Sequence, residues 1–216
     1  MKALLKIKPE KGLTLMDGPD PKPGPCDVLI RVKATSLCGT DAHIYNWDEW
    51  ASHRVHLPRI IGHEMFGEVV EVGTEVSTIN VGDRVAAESH LTCGLCFQCR
   101  TCQAHVCKNY RILGIDFDGS YAEYVSLPER VLWKTAPDLP PELGCLHEPL
   151  GNAVDAALAE DLTGHTVLVT GCGPTGLFAI AVARTAGAAQ IIATDISEYR
   201  LQLATQLGAD HIFNAN

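Results

Sequence analysis

Four cysteines constrain this chain more than any other feature. They read Cys93-Gly-Leu-Cys96-Phe-Gln-Cys99, with Cys107 following after seven intervening residues. Three thiols at two-residue spacing plus one returning ligand suit a closed tetrahedral zinc site. Such a site leaves no position for substrate, so its expected role is structural. A different ligand set lies outside it: Cys38, His63, Glu64 and Glu148. Mixed sulfur, nitrogen and oxygen donors suit a zinc site that keeps a place for water or substrate.

The bulk composition narrows the alternatives. A chain of 216 residues holds one large domain or two small ones. A net charge of -9 argues against nucleic acid or an anionic membrane surface as a partner. No apolar run reaches the roughly 18 residues of a membrane span. Met1 to Pro9 carries charges too densely for a signal-peptide core. The 9 cysteines are an odd number, and without a secretion signal metal ligation explains them better than disulfides. A reducing cytoplasm is the expected compartment.

The texture divides the chain near Pro140-Pro141. Residues 1–150 read as short strands and turns: Val28–Ala34, Gly67–Gly73, Asp83–Ala86 and Tyr121–Val125. That pattern predicts a compact, barrel-like β domain. Residues 151–216 alternate helices and apolar strands. A helix over Gly151–Leu162 precedes a strand over Thr166–Thr170, whose continuous apolar run suggests a sheet covered on both faces. A helix from Pro174, a strand over Gln190–Thr194, a helix capped by Ser197 and a strand from His211 complete β-α-β-α-β. This is half of a doubly wound fold, which needs about three more strands. The sequence therefore reads as part of a longer protein.

Gly171-Cys172-Gly173-Pro174-Thr175-Gly176 matches the dinucleotide fingerprint, and its context, strand before and helix after, supports the match. The helix N-terminus offers free N–H groups to a pyrophosphate. Asp195 closes the second strand, where a carboxylate accepts ribose hydroxyls and repels a 2′-phosphate. NAD is expected over NADP, with Arg200 touching adenine or ribose. A closed zinc site, an open one and this fingerprint together point to a zinc-dependent dehydrogenase.

Cys38-Gly-Thr-Asp, Gly62-His-Glu, Gly82-Asp-Arg-Val, the four-cysteine lobe and the glycine fingerprint occur in one order along nearly the whole chain. In these segments the chain resembles the zinc-containing medium-chain alcohol dehydrogenases. Cys38 to Trp50 and Glu148 to Val154 most resemble the branch of that family that oxidises L-threonine. The resemblance implies a GroES-like β-barrel catalytic domain over 1–150 and the N-terminal half of a Rossmann NAD-binding domain over 151–216. It implies Cys38, His63 and one carboxylate, Glu64 or Glu148, as catalytic zinc ligands, and Cys93, Cys96, Cys99 and Cys107 as structural ones. It implies Thr40 and His43 as a proton relay, with Glu148 as a further catalytic residue. Gly171, Gly173, Thr175, Gly176, Asp195 and Arg200 would hold NAD. The implied full-length assembly is a homo-tetramer. Trp47 and Trp50 either wall the substrate pocket or pack a loop, and Cys102 competes within the lobe. Oxidation of a polyol or simple secondary alcohol, and a silent zinc-stabilised fragment, remain alternative functions.

Overall fold

The computed structural model describes all 216 residues, and the chain divides into two compact units, Met1–Glu148 and Pro149–Asn216. In the first unit, β1 (Lys2–Lys6), β2 (Thr14–Asp17) and β3 (Asp27–Thr35) lead into the short helices α1 (Gly39–Asn46) and α2 (Glu49–Arg54). Then come β4 (Arg59–Ile60), β5 (Met65–Val72), β6 (Arg84–Ala87), β7 (His90–Leu91), α3 (Phe97–Arg100), β8 (Arg111–Ile112), β9 (Tyr124–Pro128), β10 (Leu132–Lys134) and α4 (Pro141–Gly144). The helix α5 (His147–Ala157) begins at the end of this unit. The second unit continues with β11 (Thr166–Thr170), α6 (Pro174–Thr185), β12 (Gln190–Asp195), α7 (Glu198–Gln206) and β13 (His211–Asn214).

The expected β-barrel is not closed: the β domain holds a five-stranded antiparallel sheet in the order β10-β6-β5-β3-β9 and a three-stranded sheet, β2-β1-β4. An isolated bridge between Ala3 and Ala122 links the two. Two register shifts along β3 bend the larger sheet. Strand alternation buries Val28 and Ile30 completely, against Val69, Val85 and Leu127. Each such side chain stabilises the fold by about 2 kcal/mol. The strand expected over Tyr121–Val125 lies instead at Tyr124–Pro128. Tyr121 is taken by other partners: its N–H donates to the Ile61 carbonyl and its own carbonyl accepts from Leu4 N–H.

One charge is wholly inside this unit. Lys6 has 0% exposure, and its ammonium donates to the carbonyls of Glu10, Gly12 and Tyr45, the last two at 3.0 Å. Three donors meet three acceptors, so the buried cation is fully satisfied. The Trp47 ring lies 5.3 Å away.

In the second unit, β11, β12 and β13 are parallel, with Val169, Ala193 and Ile212 in register. Val167, Val169, Ile191 and Ala193 pack against Ile180 of α6 and Leu201 of α7. The expectation of burial on both faces fails within this unit. Leu168 and Phe213 point the other way and are 60% and 58% exposed, because α6 and α7 cover only the face that carries Val169 and Ala193. The helix expected over Gly151–Leu162 starts earlier, at His147, which places Glu148 in its first turn. Ser197 occupies the N-cap of α7 without a side-chain bond there; the Asp195 carboxylate accepts its backbone N–H at 2.8 Å instead.

Candidate active site and metal centres

The open site is assembled around the start of α1. Cys38 is the N-cap residue, and Thr40, Asp41 and His43 follow on the helix. The Asp41 carboxylate reaches back to accept Cys38 N–H at 2.9 Å, one half of a capping box. The same oxygen accepts the Tyr121 hydroxyl at 2.8 Å. Its other oxygen, Oδ1, lies 3.9 Å from His63 Nδ1, and both atoms are buried with no closer partner. A metal-bound histidine commonly presents its second ring nitrogen to a carboxylate. With Nδ1 turned to Asp41, Nε2 is the nitrogen left for a metal.

Gly62 makes the next segment possible. Its φ is +91°, and a Cβ there would sit 2.1 Å from the Tyr121 ring. The chain can then present His63 and Glu64 inward, at 6% and 5% exposure. Ligand atoms of Cys38, His63 and Glu64 all lie within 4.8 Å of one another. The His63 contact holds the Cys38 thiol below its ordinary pKa. Burial works against charge on His63, but Cys38, Asp41 and Glu148 outweigh it and lift its pKa to about 9. Burial pushes the Glu64 carboxyl up. Anionic donors crowded around a buried imidazole want a cation, and the S, N, O set fits zinc.

Glu148 sits apart from this three-residue cluster. Its Oε1 accepts the Ser89 hydroxyl at 2.7 Å, and Ser89 Oγ is also 3.0 Å from His90 Nδ1. Its charge still bears on His63 and Glu64. Glu64 is tied by Ser36, whose hydroxyl bonds its carboxylate and lies 3.2 Å from the Cys145 carbonyl. Thr40 Oγ1 is 3.6 Å from Cys38 Sγ. His43 is an exposed side chain whose Nδ1 bonds Asp48 Oδ2. Trp47 packs into the core beside Ile44 and under Lys6, whereas Trp50 is exposed and tilts against the His43 ring at 5.9 Å. Asp41, Tyr121, Ser36, Ser89 and Asp48 were not singled out by sequence. Only Asp41 left a signal, in the capping-box spacing from Cys38.

The second cluster is local. Sulfur atoms of Cys93, Cys96, Cys99 and Cys107 lie within 4.8 Å of one another, and all are free thiols. Sulfur separations of 3.5–3.8 Å are far beyond a disulfide bond. Backbone N–H groups of Cys93, Cys96 and Asn109 point at these sulfurs. The N–H groups of Leu95 and Cys96 pull the Cys93 thiol down to about 6, while burial among the other thiols pushes Cys99 up to about 12. Four sulfurs this close fit a tetrahedral zinc that relieves their mutual repulsion. Cys102 is exposed and outside the cluster.

The glycine turn lies in the second unit. Gly173 caps α6, Pro174 takes its first position and Thr175 follows. A Cβ on Gly176 would sit 2.0 Å from the Gly171 carbonyl, so only glycine lets the helix start that close to the turn. Asp195 Oδ2 accepts Cys172 N–H at 2.7 Å, and Oδ1 accepts Ser197 N–H. The carboxylate thus ties β12 to the turn and keeps further lone pairs for hydroxyl donors. The Arg200 guanidinium is 3.9 Å from it and half exposed.

Known proteins share the sequence and fold that carry these sites. Residues 24–138 match the alcohol dehydrogenase GroES-like domain, and residues 174–216 match the zinc-binding dehydrogenase family. The chain is 51% identical over 214 residues to the L-threonine 3-dehydrogenase of Pyrococcus furiosus, covering 99% of this chain and 62% of that protein. It is 53% identical over 214 residues to that of Symbiobacterium thermophilum, covering 99% of this chain and 61% of that one. An alcohol dehydrogenase from Thermus sp. ATN1 superposes with a TM-score of 0.90 at 32% identity, over 100% of this chain and 63% of its own. The chain thus spans just over three-fifths of the length of these relatives.

Proposed function

The chain belongs to the zinc-binding alcohol dehydrogenases with a GroES-like domain, and from that premise we propose that it oxidises the secondary hydroxyl of L-threonine to 2-amino-3-oxobutanoate with NAD as hydride acceptor. The carrying observation is the cluster of half-buried Cys38 with buried His63 and Glu64, with Thr40 and His43 on the helix capped by Cys38. The choice of threonine rests on the named relatives and on the segment Tyr45 to Trp50. Zinc at this cluster supplies Lewis acidity toward a hydroxyl oxygen. NAD, at the turn of Gly171, Gly173, Thr175 and Gly176 with Asp195 and Arg200 beside it, supplies the hydride chemistry.

The chain's own residues do the rest. Asp41 orients His63, and Tyr121 orients Asp41. The Thr40 hydroxyl takes the substrate proton as it gives up its own, in a relay toward His43. His43, one turn further along α1 and exposed, passes it to solvent. Glu148, fixed by Ser89, adds negative charge beside the metal ligands. The lobe of Cys93, Cys96, Cys99 and Cys107 holds a structural zinc. Free thiols throughout suit a reducing cytoplasm, and no helix is long and apolar enough to cross a membrane. The assembly carried with this reading is a homo-tetramer.

NADH formation from L-threonine, compared with 2,3-butanediol and sorbitol, tests the reading. Threonine-selective turnover by zinc-loaded protein is expected; selective turnover of a polyol would overturn the substrate. His43→Asn should slow turnover about 100-fold, the scale of lost general base catalysis. Unchanged rates would remove the relay.

A further inference from the structure

His43 and Asp48 meet at the junction of α1 and α2, and one carboxylate there does two jobs. Asp48 is the N-cap residue of α2, and its Oδ1 accepts Ala51 N–H at 3.0 Å. Its Oδ2 bonds His43 Nδ1. Ala51 is completely buried in the cluster that also holds Ile44 of α1, so α2 is a fixed platform. The backbone N–H of Ala51, and then His43, hold the Asp48 carboxyl below its usual range. The carboxylate is ionised at neutral pH and can only accept, so the shared proton sits on His43 Nδ1. The Trp50 ring at 5.9 Å limits the imidazole from a second side.

We propose that Asp48 is a positioning residue for proton transfer: it fixes neutral His43 as the Nδ1–H tautomer and leaves Nε2 as the proton acceptor. This deepens the proposed relay and rests on it. The logic is that of a carboxylate orienting a general-base imidazole, where the wrong tautomer removes the base even when the geometry survives. Here the orienting group is also a helix cap, so one carboxylate joins the imidazole to the helix that carries Trp50. A neutral imidazole facing only water favours Nε2–H, so the fixed tautomer reports directly on Asp48.

The two jobs separate by substitution. Asn caps a helix about as well as Asp, so Asp48→Asn keeps the bond to Ala51 through its amide oxygen. Its amide NH2 then faces His43 and makes Nδ1 an acceptor. Asp48→Ala removes both contacts. The readout is the pair of ring 15N shifts of His43, from long-range 1H–15N correlation spectra of the zinc-loaded protein, with thermal unfolding measured alongside. The expected result is Nδ1–H in the parent, Nε2–H in Asp48→Asn at an unchanged Tm, and Nε2–H with a lowered Tm in Asp48→Ala. NADH formation from threonine should fall about 10- to 100-fold in Asp48→Asn, in kcat rather than KM. A parent imidazole that is already Nε2–H, or a tautomer that ignores Asp48→Asn, would overturn the proposal whatever the kinetics. A switched tautomer with unchanged turnover would overturn the relay role of His43, and so the catalytic part of the proposal, while the Asp48 contact stood. Loss of stability in Asp48→Ala alone, with tautomer and turnover unchanged in both variants, would reduce Asp48 to a helix cap.

Discussion

The two ligand clusters reach similar compactness by opposite routes. The four-cysteine lobe draws its donors from 15 consecutive positions, 93–107. It has little core of its own: Leu95 and Phe97 are 82% and 75% exposed. Within the chain, backbone N–H groups and the Asn109 side-chain amide are what face its crowded thiols. The cluster of Cys38, His63 and Glu64 draws on α1 and on the segment between β4 and β5. It lies among buried residues, with Asp41, Tyr121 and Ser36 already holding the donors in place. In the lobe a bound metal would supply the folding energy, whereas in the open site the fold already supplies the geometry.

Chelation should separate them most sharply. Zinc removal is expected to erase amide protection over residues 93–107 while Cys38–Asn46 and His63–Val72 stay protected, by hydrogen exchange. Equal loss in both would break the distinction. Next in size, Lys6→Met should cost about 3 kcal/mol, since it leaves three buried carbonyls without their donor. Denaturant unfolding measures this, and a cost under about 0.5 kcal/mol, typical of a surface change, would contradict a cage that braces the far end of α1.

Asp41→Asn should weaken zinc at the open site about 10- to 100-fold, the usual effect of losing a carboxylate behind a metal-bound histidine. The lobe should bind as before; isothermal titration resolves the two. The pH dependence tests the same site without a substitution. His63 has a raised pKa of about 9 without metal, so its proton must leave before zinc enters. Open-site affinity should therefore rise with pH, by at most about tenfold per unit, and level off near 9. The linkage has the opposite sign in the zinc-free chain. Its raised His63 pKa contributes stability that is present below the unfolded value near 6.5 and lost as pH rises through about 9. An affinity that falls over this range would exclude His63 as a ligand.

What could be read from sequence follows the same divide. The lobe was legible because its ligands are neighbours in the chain. The glycine turn was legible because strand, turn and helix are contiguous. Cys38, His63 and Glu64 could be proposed, but their orienting groups could not. Asp41 meets His63, and Tyr121 meets Asp41, only after β4, β9 and α1 have packed. The Asp48 bond to His43 depends on how α1 and α2 turn at Trp47. Lys6 reads as one more surface lysine in a charged segment, since burial with full satisfaction leaves no local pattern. The exposed face of β11 and β13 was misread because apolar strand composition does not say which faces are covered.

Zinc content by native mass spectrometry, on the parent and on Cys38→Ser, tests the central claim most directly. Two ions per chain in the parent, one for each cluster, and one in Cys38→Ser with the lobe still folded are expected. A single ion in the parent, or two retained after Cys38→Ser, would contradict a second zinc site built on Cys38, His63 and Glu64.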